Sequence, residues 1–128
     1  MKRPPTTIIV EAGVNHNGSI ATAKKMIDAA VEVGADLVKF QTFKADALVT
    51  KFGEKADYQK ELLGNEGSQF EMLKNLELDL AAHKELIKHC EKGSIRFMST
   101  PFDHDSIDLL GKLNLPFFKI PSGEITNL

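Results

Sequence analysis

The stretch Phe117–Glu124, FFKIPSGE, joins a short apolar run that carries one lysine to a Ser-Gly turn and a carboxylate. A desolvated ammonium is costly unless it is paired. We therefore place Lys119 at the exit of a strand, where its amine reaches a loop while its stem stays packed. The hydroxyl of Ser122 and the backbone N–H groups around Gly123 suit an anion such as phosphate. The alternative interpretation is an ordinary turn with Lys119 at a solvated edge.

Three earlier segments repeat this pattern of an apolar run that ends in charged or hydroxyl side chains. Continuous apolar runs are typical of strands in parallel sheets, because both faces of such sheets are covered. The predicted strands are Thr7–Val10, Leu37–Gln41 and Ile95–Ser99, and the polar residues at their ends are Glu11, Lys39 with Gln41, and Ser99 with Thr100.

Helical patterns separate these runs, apart from a long polar stretch at residues 42–67. The order strand, helix, strand, helix, strand, helix, strand predicts an α/β chain with a parallel sheet and right-handed crossovers. The predicted helices are Ile20–Val33 with Ser19 as N-cap and Gly34 after its end, a short one at Ser68–Lys74, one that Asp79 caps and Gly93 ends, and His104–Leu113.

Two parallel architectures compete, an open doubly wound sheet and a closed eight-stranded barrel. The first loop lacks G-x-G-x-x-G, and the chain contains no G-x-x-x-x-G-K-[ST], so a nucleotide-binding open sheet loses support. In the barrel, polar residues at the carboxyl ends of the strands form the active site. Four such strand ends favour the barrel.

The length limits this interpretation, because a barrel of this type takes about 200 residues or more. The chain has 128 residues and four predicted strands. We therefore expect residues 1–128 to be the N-terminal half of a TIM-type (β/α)8 barrel, truncated before barrel closure and belonging to a longer protein.

Composition excludes several functional classes. The chain is 42% hydrophobic with a formal net charge of −2 and interleaved charges, so no basic stripe indicates a nucleic-acid surface. The single cysteine, Cys90, lies in a helical pattern and is expected to be a small buried hydrophobe. No apolar run reaches the length of a membrane span, and the N-terminus leads into a strand, so we expect a cytoplasmic protein without membrane contact.

Four blocks together resemble the signatures of the sialic acid synthases, the N-acetylneuraminate synthase family with its legionaminic and pseudaminic acid synthases. The blocks are VEAGVNHNG at Val10–Gly18, VKFQT at Val38–Thr42, MSTPF at Met98–Phe102 and FKIPSGE at Phe118–Glu124. The resemblance implies a (β/α)8 barrel followed by an antifreeze-like C-terminal domain, with the remaining barrel and that domain absent from this chain.

The resemblance also implies an activity and partners. Such enzymes condense phosphoenolpyruvate with an N-acetylated hexosamine, by default N-acetylmannosamine, to give a nine-carbon 2-keto acid and phosphate. They work as homodimers and need a divalent metal, Mn²⁺ or Mg²⁺, whose histidine ligands we expect beyond Leu128. No metal ligand is expected in this chain, and His16 is expected to organise its loop.

Roles carried over from the family agree with the chemistry, because phosphoenolpyruvate needs concentrated positive charge and hydrogen-bond donors. Surface or packing roles are expected for His83, His89 and His104, and a loop-supporting role for Glu124. The implied site residues are Glu11 as the catalytic acid or base, Lys39, Thr100, Lys119 and Ser122 for phosphoenolpyruvate, and Gln41 and Asn65 for the sugar.

Two other interpretations stay open. A class I aldolase also uses lysines at the strand ends of a parallel barrel, where an amine forms a Schiff base, and Lys39 or Lys119 could serve. Two lysines that converge with Ser122 favour an anion between them instead. Alternatively, residues 1–128 alone are an inactive fragment of the synthase.

Overall fold

The computed structural model describes residues 5–48 and 66–126, and for residues 66–69 it describes the backbone alone. Strands and helices alternate along most of the chain, as the sequence predicts. They are β1 (Ile9–Gly13), α1 (Ile20–Glu32), β2 (Leu37–Thr42), α2 (Glu66–Asn75), α3 (Leu80–Lys92), β3 (Arg96–Pro101), α4 (His104–Gly111) and a 3-10 turn (Ser122–Glu124).

The three strands form one parallel sheet in the order β1-β2-β3. In the register of this sheet Glu11 lies opposite Lys39, and Gln41 lies opposite Thr100. The carboxyl ends of all three strands therefore meet at one edge, which we call the carboxyl edge and define by these four residues. The predicted α/β class, with parallel strands and an unclosed barrel, is confirmed.

Polar side chains begin the helices as predicted. The hydroxyl of Ser19 accepts a hydrogen bond from the backbone N–H of Thr22 at 3.2 Å, and the Asp79 carboxylate accepts one from Ala82 at 2.7 Å. Each such cap satisfies a backbone donor that the first turn of a helix leaves unpaired. At the end of α1, Gly34 has a φ of 73°, the left-handed conformation that favours glycine.

The core lies between the sheet and the helices α1 and α3. Along β2 the side chains of Val38, Phe40 and Thr42 are buried, whereas those of Lys39 and Gln41 are only partly buried. Successive strand residues point to opposite faces. The helices therefore cover one face of the sheet, and the polar residues of the carboxyl edge lie on the other face.

The predicted fourth strand at residues 117–120 is wrong for this structure, since no strand forms there among the described residues. Phe117, Phe118 and Ile120 are 47%, 50% and 69% exposed. The ring of Phe117 lies under the Arg96 guanidinium at 5.6 Å, a contact at the amino end of β3. An apolar run gains strand structure only when a neighbouring strand pairs with it and other layers cover its faces, and the described residues provide no such cover.

Across the described residues, the helices are all too short or too polar to cross a membrane.

Candidate active site

Three side chains from the three strands meet at the carboxyl edge. The amine of Lys39 forms an ion pair with the Glu11 carboxylate and lies 3.4 Å from the hydroxyl oxygen of Thr100. The Lys39 side chain is 15% exposed and that of Glu11 is 49% exposed. The largely buried Lys39 side chain thus places its charged end between a carboxylate and a hydroxyl. The half-exposed Glu11 borders solvent on one side of this group.

A bulge in β1 makes room for this group. The register with β2 shifts between Glu11 and Gly13, and Gly13 has a φ of 57°. A Cβ atom added to Gly13 would lie 3.4 Å from a Glu11 carboxylate oxygen, 3.7 Å from the Gln41 amide nitrogen and 3.9 Å from the Asn15 amide nitrogen. Three polar side chains therefore converge above a residue whose backbone conformation favours glycine.

Asn15 belongs to this site, although the sequence analysis assigned it no role. Its side-chain amide donates a hydrogen bond to the carbonyl of Ala12 at 3.1 Å, which holds it over the end of β1. The signal that could have found it is its place in the block VEAGVNHNG, four residues after Glu11.

His16 organises the loop between β1 and α1, as expected. The ring is fully buried, and its Nδ1 accepts a hydrogen bond from the backbone N–H of Gly18 at 3.0 Å. Burial lowers the pKa of His16, which favours the neutral ring. With Nδ1 accepting, the proton lies on Nε2, and this atom has no hydrogen-bond partner among the described residues.

The stretch Phe117–Glu124, which we call the terminal segment, lies apart from the carboxyl edge. Lys119 is exposed and donates a hydrogen bond to the carbonyl of Ile120 at 3.1 Å. It lines a cavity of about 410 Å³ whose other walls include Pro101 and Phe118. Pro101 follows Thr100 directly, so this cavity adjoins the carboxyl edge along β3.

The structure thus brings together Glu11, Lys39, Gln41 and Thr100. Among the described residues, no hydrogen bond or ion pair joins Lys119 or Ser122 to those four. Asn65 lies outside the described residues.

The three other histidines differ from one another. His83 is fully buried and hydrogen-bonded to Thr42, which agrees with a packing role rather than a surface one. His89 bonds to Asp28 at 2.7 Å between α3 and α1. His104 is exposed at the start of α4. The described part of the chain contains no group of three or more side chains able to hold a metal ion.

Comparison with known families gives one match that covers most of the chain. Residues 26–128 match the family described as NeuB family. An N,N'-diacetyllegionaminic acid synthase from Campylobacter jejuni is 58% identical over 96% of this chain and 37% of its own length. A second synthase of that name, from Legionella pneumophila, is 55% identical over 94% of this chain and 34% of its own length. The chain thus spans about a third of the curated relatives that it matches.

Solved structures agree with this match. A sialic acid synthetase from Leptospira borgpetersenii superposes with a TM-score of 0.77 at 29% identity, over 97% of this chain and 39% of that one. The spore coat polysaccharide biosynthesis protein SpsE from Bacillus subtilis superposes with a TM-score of 0.65 at 38% identity, over 93% and 30% of the two chains.

Proposed function

The chain belongs to the NeuB family, and from that membership we propose that it forms the amino-terminal part of a synthase that condenses phosphoenolpyruvate with an N-acetylated sugar. The products are a nine-carbon 2-keto acid and inorganic phosphate. The observation that carries the proposal is the cluster of Glu11, Lys39 and Thr100 at neighbouring ends of parallel strands, where barrel enzymes place their active sites.

Lys39 and Thr100 suit the carboxylate side of phosphoenolpyruvate. The ammonium and the hydroxyl lie 3.4 Å apart and both offer hydrogen-bond donors to an anion. Lys119 and Ser122 are the proposed phosphate ligands. A cation and a hydroxyl are chemical types that bind phosphate. Lys119 also lines the cavity beside Pro101, which adjoins Thr100. In the proposed complex the substrate bridges the carboxyl edge and the terminal segment with its two anionic groups.

Glu11 is the proposed proton carrier. Carbon 3 of phosphoenolpyruvate bonds to the aldehyde carbon of the sugar, and the aldehyde oxygen takes a proton to become a hydroxyl. Water then adds at carbon 2, loses a proton, and the phosphate leaves as the keto group forms. A half-exposed Glu11 beside the substrate can give the first proton when it is protonated, or take the second proton when it is a carboxylate.

The sugar proposal rests on the names of the relatives. Two synthases named for N,N'-diacetyllegionaminic acid are 58% and 55% identical to this chain, whereas an N-acetylneuraminate-9-phosphate synthase from Homo sapiens is 34% identical. Condensation adds no acetyl group, so a product with two N-acetyl groups requires an acceptor with two. We therefore favour a di-N-acetylated sugar over N-acetylmannosamine. Gln41, whose amide both donates and accepts, is the proposed sugar contact on this chain.

The divalent metal and the homodimer are proposals for the whole protein. The described residues provide no cluster that fits a metal. Mn²⁺ or Mg²⁺ would be held by histidines beyond Leu128.

A turnover assay on the whole protein tests the function. We expect phosphate release from phosphoenolpyruvate only when an N-acetylated sugar is present, and more with a di-N-acetylated sugar than with N-acetylmannosamine. A chelator should stop it. Residues 1–128 alone should show no turnover. Phosphate release without a sugar, or none with either sugar, contradicts the proposal.

The aldolase alternative has a separate test. A Schiff-base lysine must present a free amine to its substrate, whereas the Lys39 amine is engaged by Glu11 and Thr100. Because the proposed condensation forms no Schiff base, borohydride with pyruvate should leave the whole protein unlabelled, and a covalent pyruvate adduct on Lys39 or Lys119 would favour the aldolase.

A further inference from the structure

A chain of buried hydrogen bonds lies behind the carboxyl edge, on the face of the sheet that the helices cover. The hydroxyl oxygens of Ser99 and Thr42 are 2.7 Å apart, and the Thr42 oxygen is 2.8 Å from Nε2 of His83. The Nδ1 atom of His83 is 2.7 Å from the backbone carbonyl oxygen of Asp79. All three side chains are 1% exposed or less.

The acceptor at the Asp79 end and the protonation of the His83 ring fix which atom donates in each of these hydrogen bonds. The carbonyl of Asp79 can only accept, so Nδ1 of His83 carries a proton. Burial lowers the pKa of His83 with a contribution from Lys44, against the opposing effect of Asp79, and so favours the neutral ring. The Nε2 atom of a neutral ring with Nδ1 protonated is an acceptor. Thr42 therefore donates to His83, and Ser99 donates to Thr42.

These buried hydrogen bonds lie directly behind two proposed substrate contacts, Gln41 and Thr100. Thr42 follows Gln41 and Ser99 precedes Thr100, and neighbours along a strand point to opposite faces. Gln41 and Thr100 are themselves opposite each other in the register of β2 and β3. The bond between Thr42 and Ser99 thus joins the two strands at the positions adjacent to these contacts.

We propose that His83 is a positioning residue for Gln41 and Thr100, acting through the hydroxyls of Thr42 and Ser99. The inference rests on the proposed function, in which Gln41 contacts the sugar and Thr100 contacts phosphoenolpyruvate. The ring is anchored at the first turn of α3 through the carbonyl of Asp79 and holds the ends of β2 and β3 in one alignment. A shift of about 1 Å at such contacts can cost roughly 100-fold in rate.

A packing role is the competing explanation. The ring of His83 meets the ring of Phe97 edge-on, with centroids 5.9 Å apart and planes at 74°. If packing were its whole role, a phenylalanine would replace it without change in KM. Loss of stability lowers the active fraction and hence the apparent kcat, whereas misplaced contacts raise KM.

Three variants of the whole synthase separate these roles. His83→Phe keeps a ring and removes both nitrogens, and His83→Gln offers an amide oxygen to the Thr42 hydroxyl. Cys90→Ala is the matched control, because Cys90 is buried on the same helix and its thiol has a pKa raised by burial to about 12.

Steady-state kinetics with both substrates is the measurement. We expect His83→Phe to raise KM for phosphoenolpyruvate and for the sugar and to lower kcat/KM by roughly 10- to 100-fold. We expect His83→Gln to recover most of that loss, and Cys90→Ala to lower Tm with both KM values unchanged. If the wild type is active and His83→Phe has the same KM values, this inference is overturned and the proposed function stands. A wild type without turnover overturns the proposed function, and the positioning role with it.

The ¹⁵N spectrum of the His83 ring in the wild-type protein tests the hydrogen-bond direction without any assay and without a variant that must fold. We expect a proton on Nδ1 and a bare Nε2 at neutral pH. A proton on Nε2 would reverse the direction and overturn the inference.

Discussion

The carboxyl edge and the terminal segment carry similar residue types in very different surroundings. At the carboxyl edge, Lys39 is 15% exposed and its amine contacts Glu11 and Thr100 from neighbouring strands. In the terminal segment, Lys119 is exposed and its amine donates a hydrogen bond to the carbonyl of the next residue. Both lysines follow the same pattern in the sequence, an apolar run with one cation near its end.

The difference shows which surroundings hold a lysine in a fixed position. Lys39 is held because its strand is paired on both sides, by β1 and by β3, and its stem packs in the sheet. Lys119 has no such neighbours among the described residues. We therefore expect the carboxyl edge to perform proton transfer, which needs exact placement, and the terminal segment to supply charge for binding. Two kinetic predictions test this division, and two stability predictions test the surroundings of the carboxyl edge, from the largest expected effect to the smallest.

Glu11→Gln in the whole synthase should lower kcat by about 100- to 10,000-fold, the usual contribution of a positioned acid or base. The amide keeps the shape of the side chain, so KM for phosphoenolpyruvate should change little. Steady-state kinetics measures both. A variant with normal kcat would remove the catalytic role from the carboxyl edge.

Lys119→Ala should weaken phosphoenolpyruvate binding by roughly 2–4 kcal/mol, because a charged partner of a buried dianion is lost. Since the terminal segment is proposed to bind rather than react, kcat at saturating substrate should fall much less than in Glu11→Gln. Lys112→Ala is the matched control, an exposed lysine at the end of α4. Equal effects of the two lysine variants would leave Lys119 without a specific role.

Gly18→Ala should destabilise the protein by about 2–3 kcal/mol. Gly18 has a φ of 76°, and a Cβ atom there would overlap the backbone carbonyl of Asn75. Gly34→Ala is the control, since Gly34 has a φ of 73° with no atom within 4 Å of its added Cβ, and it should lose only about 1 kcal/mol. Denaturant unfolding compares them, and equal losses would mean that the contact with Asn75 adds nothing.

Acid should lower the free energy of unfolding of the protein through two buried histidines near the carboxyl edge. Burial lowers the pKa of His16 and of His83, so the unfolded chain binds protons below about pH 6.5 that the folded chain does not. The free energy of unfolding should fall below that pH, by up to about 1.4 kcal/mol per pH unit for each histidine until its lowered pKa is reached. Unfolding curves between pH 7 and pH 5 measure it. His16→Gln should make the pH dependence shallower, and an unchanged slope would contradict the contribution of His16.

Local pattern was enough to predict most of the fold. The caps Ser19 and Asp79 each bond to a backbone N–H three residues later, so short-range rules find them. The apolar runs before Glu11, before Gln41 and before Thr100 form strands because each has a neighbour in the sheet. The run at residues 117–120 has the same composition, and composition does not tell whether a partner strand pairs with it.

The candidate site was predictable only where it follows from strand order. Parallel pairing brings Glu11 and Lys39 together once both are placed at strand ends. The contact of Thr42 with His83 joins residues 41 positions apart and follows from the packing of α3 on the sheet, which no short-range pattern encodes. The bulge at Gly13 and the resulting place of Asn15 depend on a register shift between two strands, which is likewise a property of the assembled sheet.

The most direct test of the two-region account is a crystal structure of the whole protein with phosphoenolpyruvate bound. The account predicts the amines of both Lys39 and Lys119 within about 2.7–2.9 Å of the ligand's anionic oxygens. A ligand that contacts one of these amines while the other lies on the far side of the molecule would contradict it.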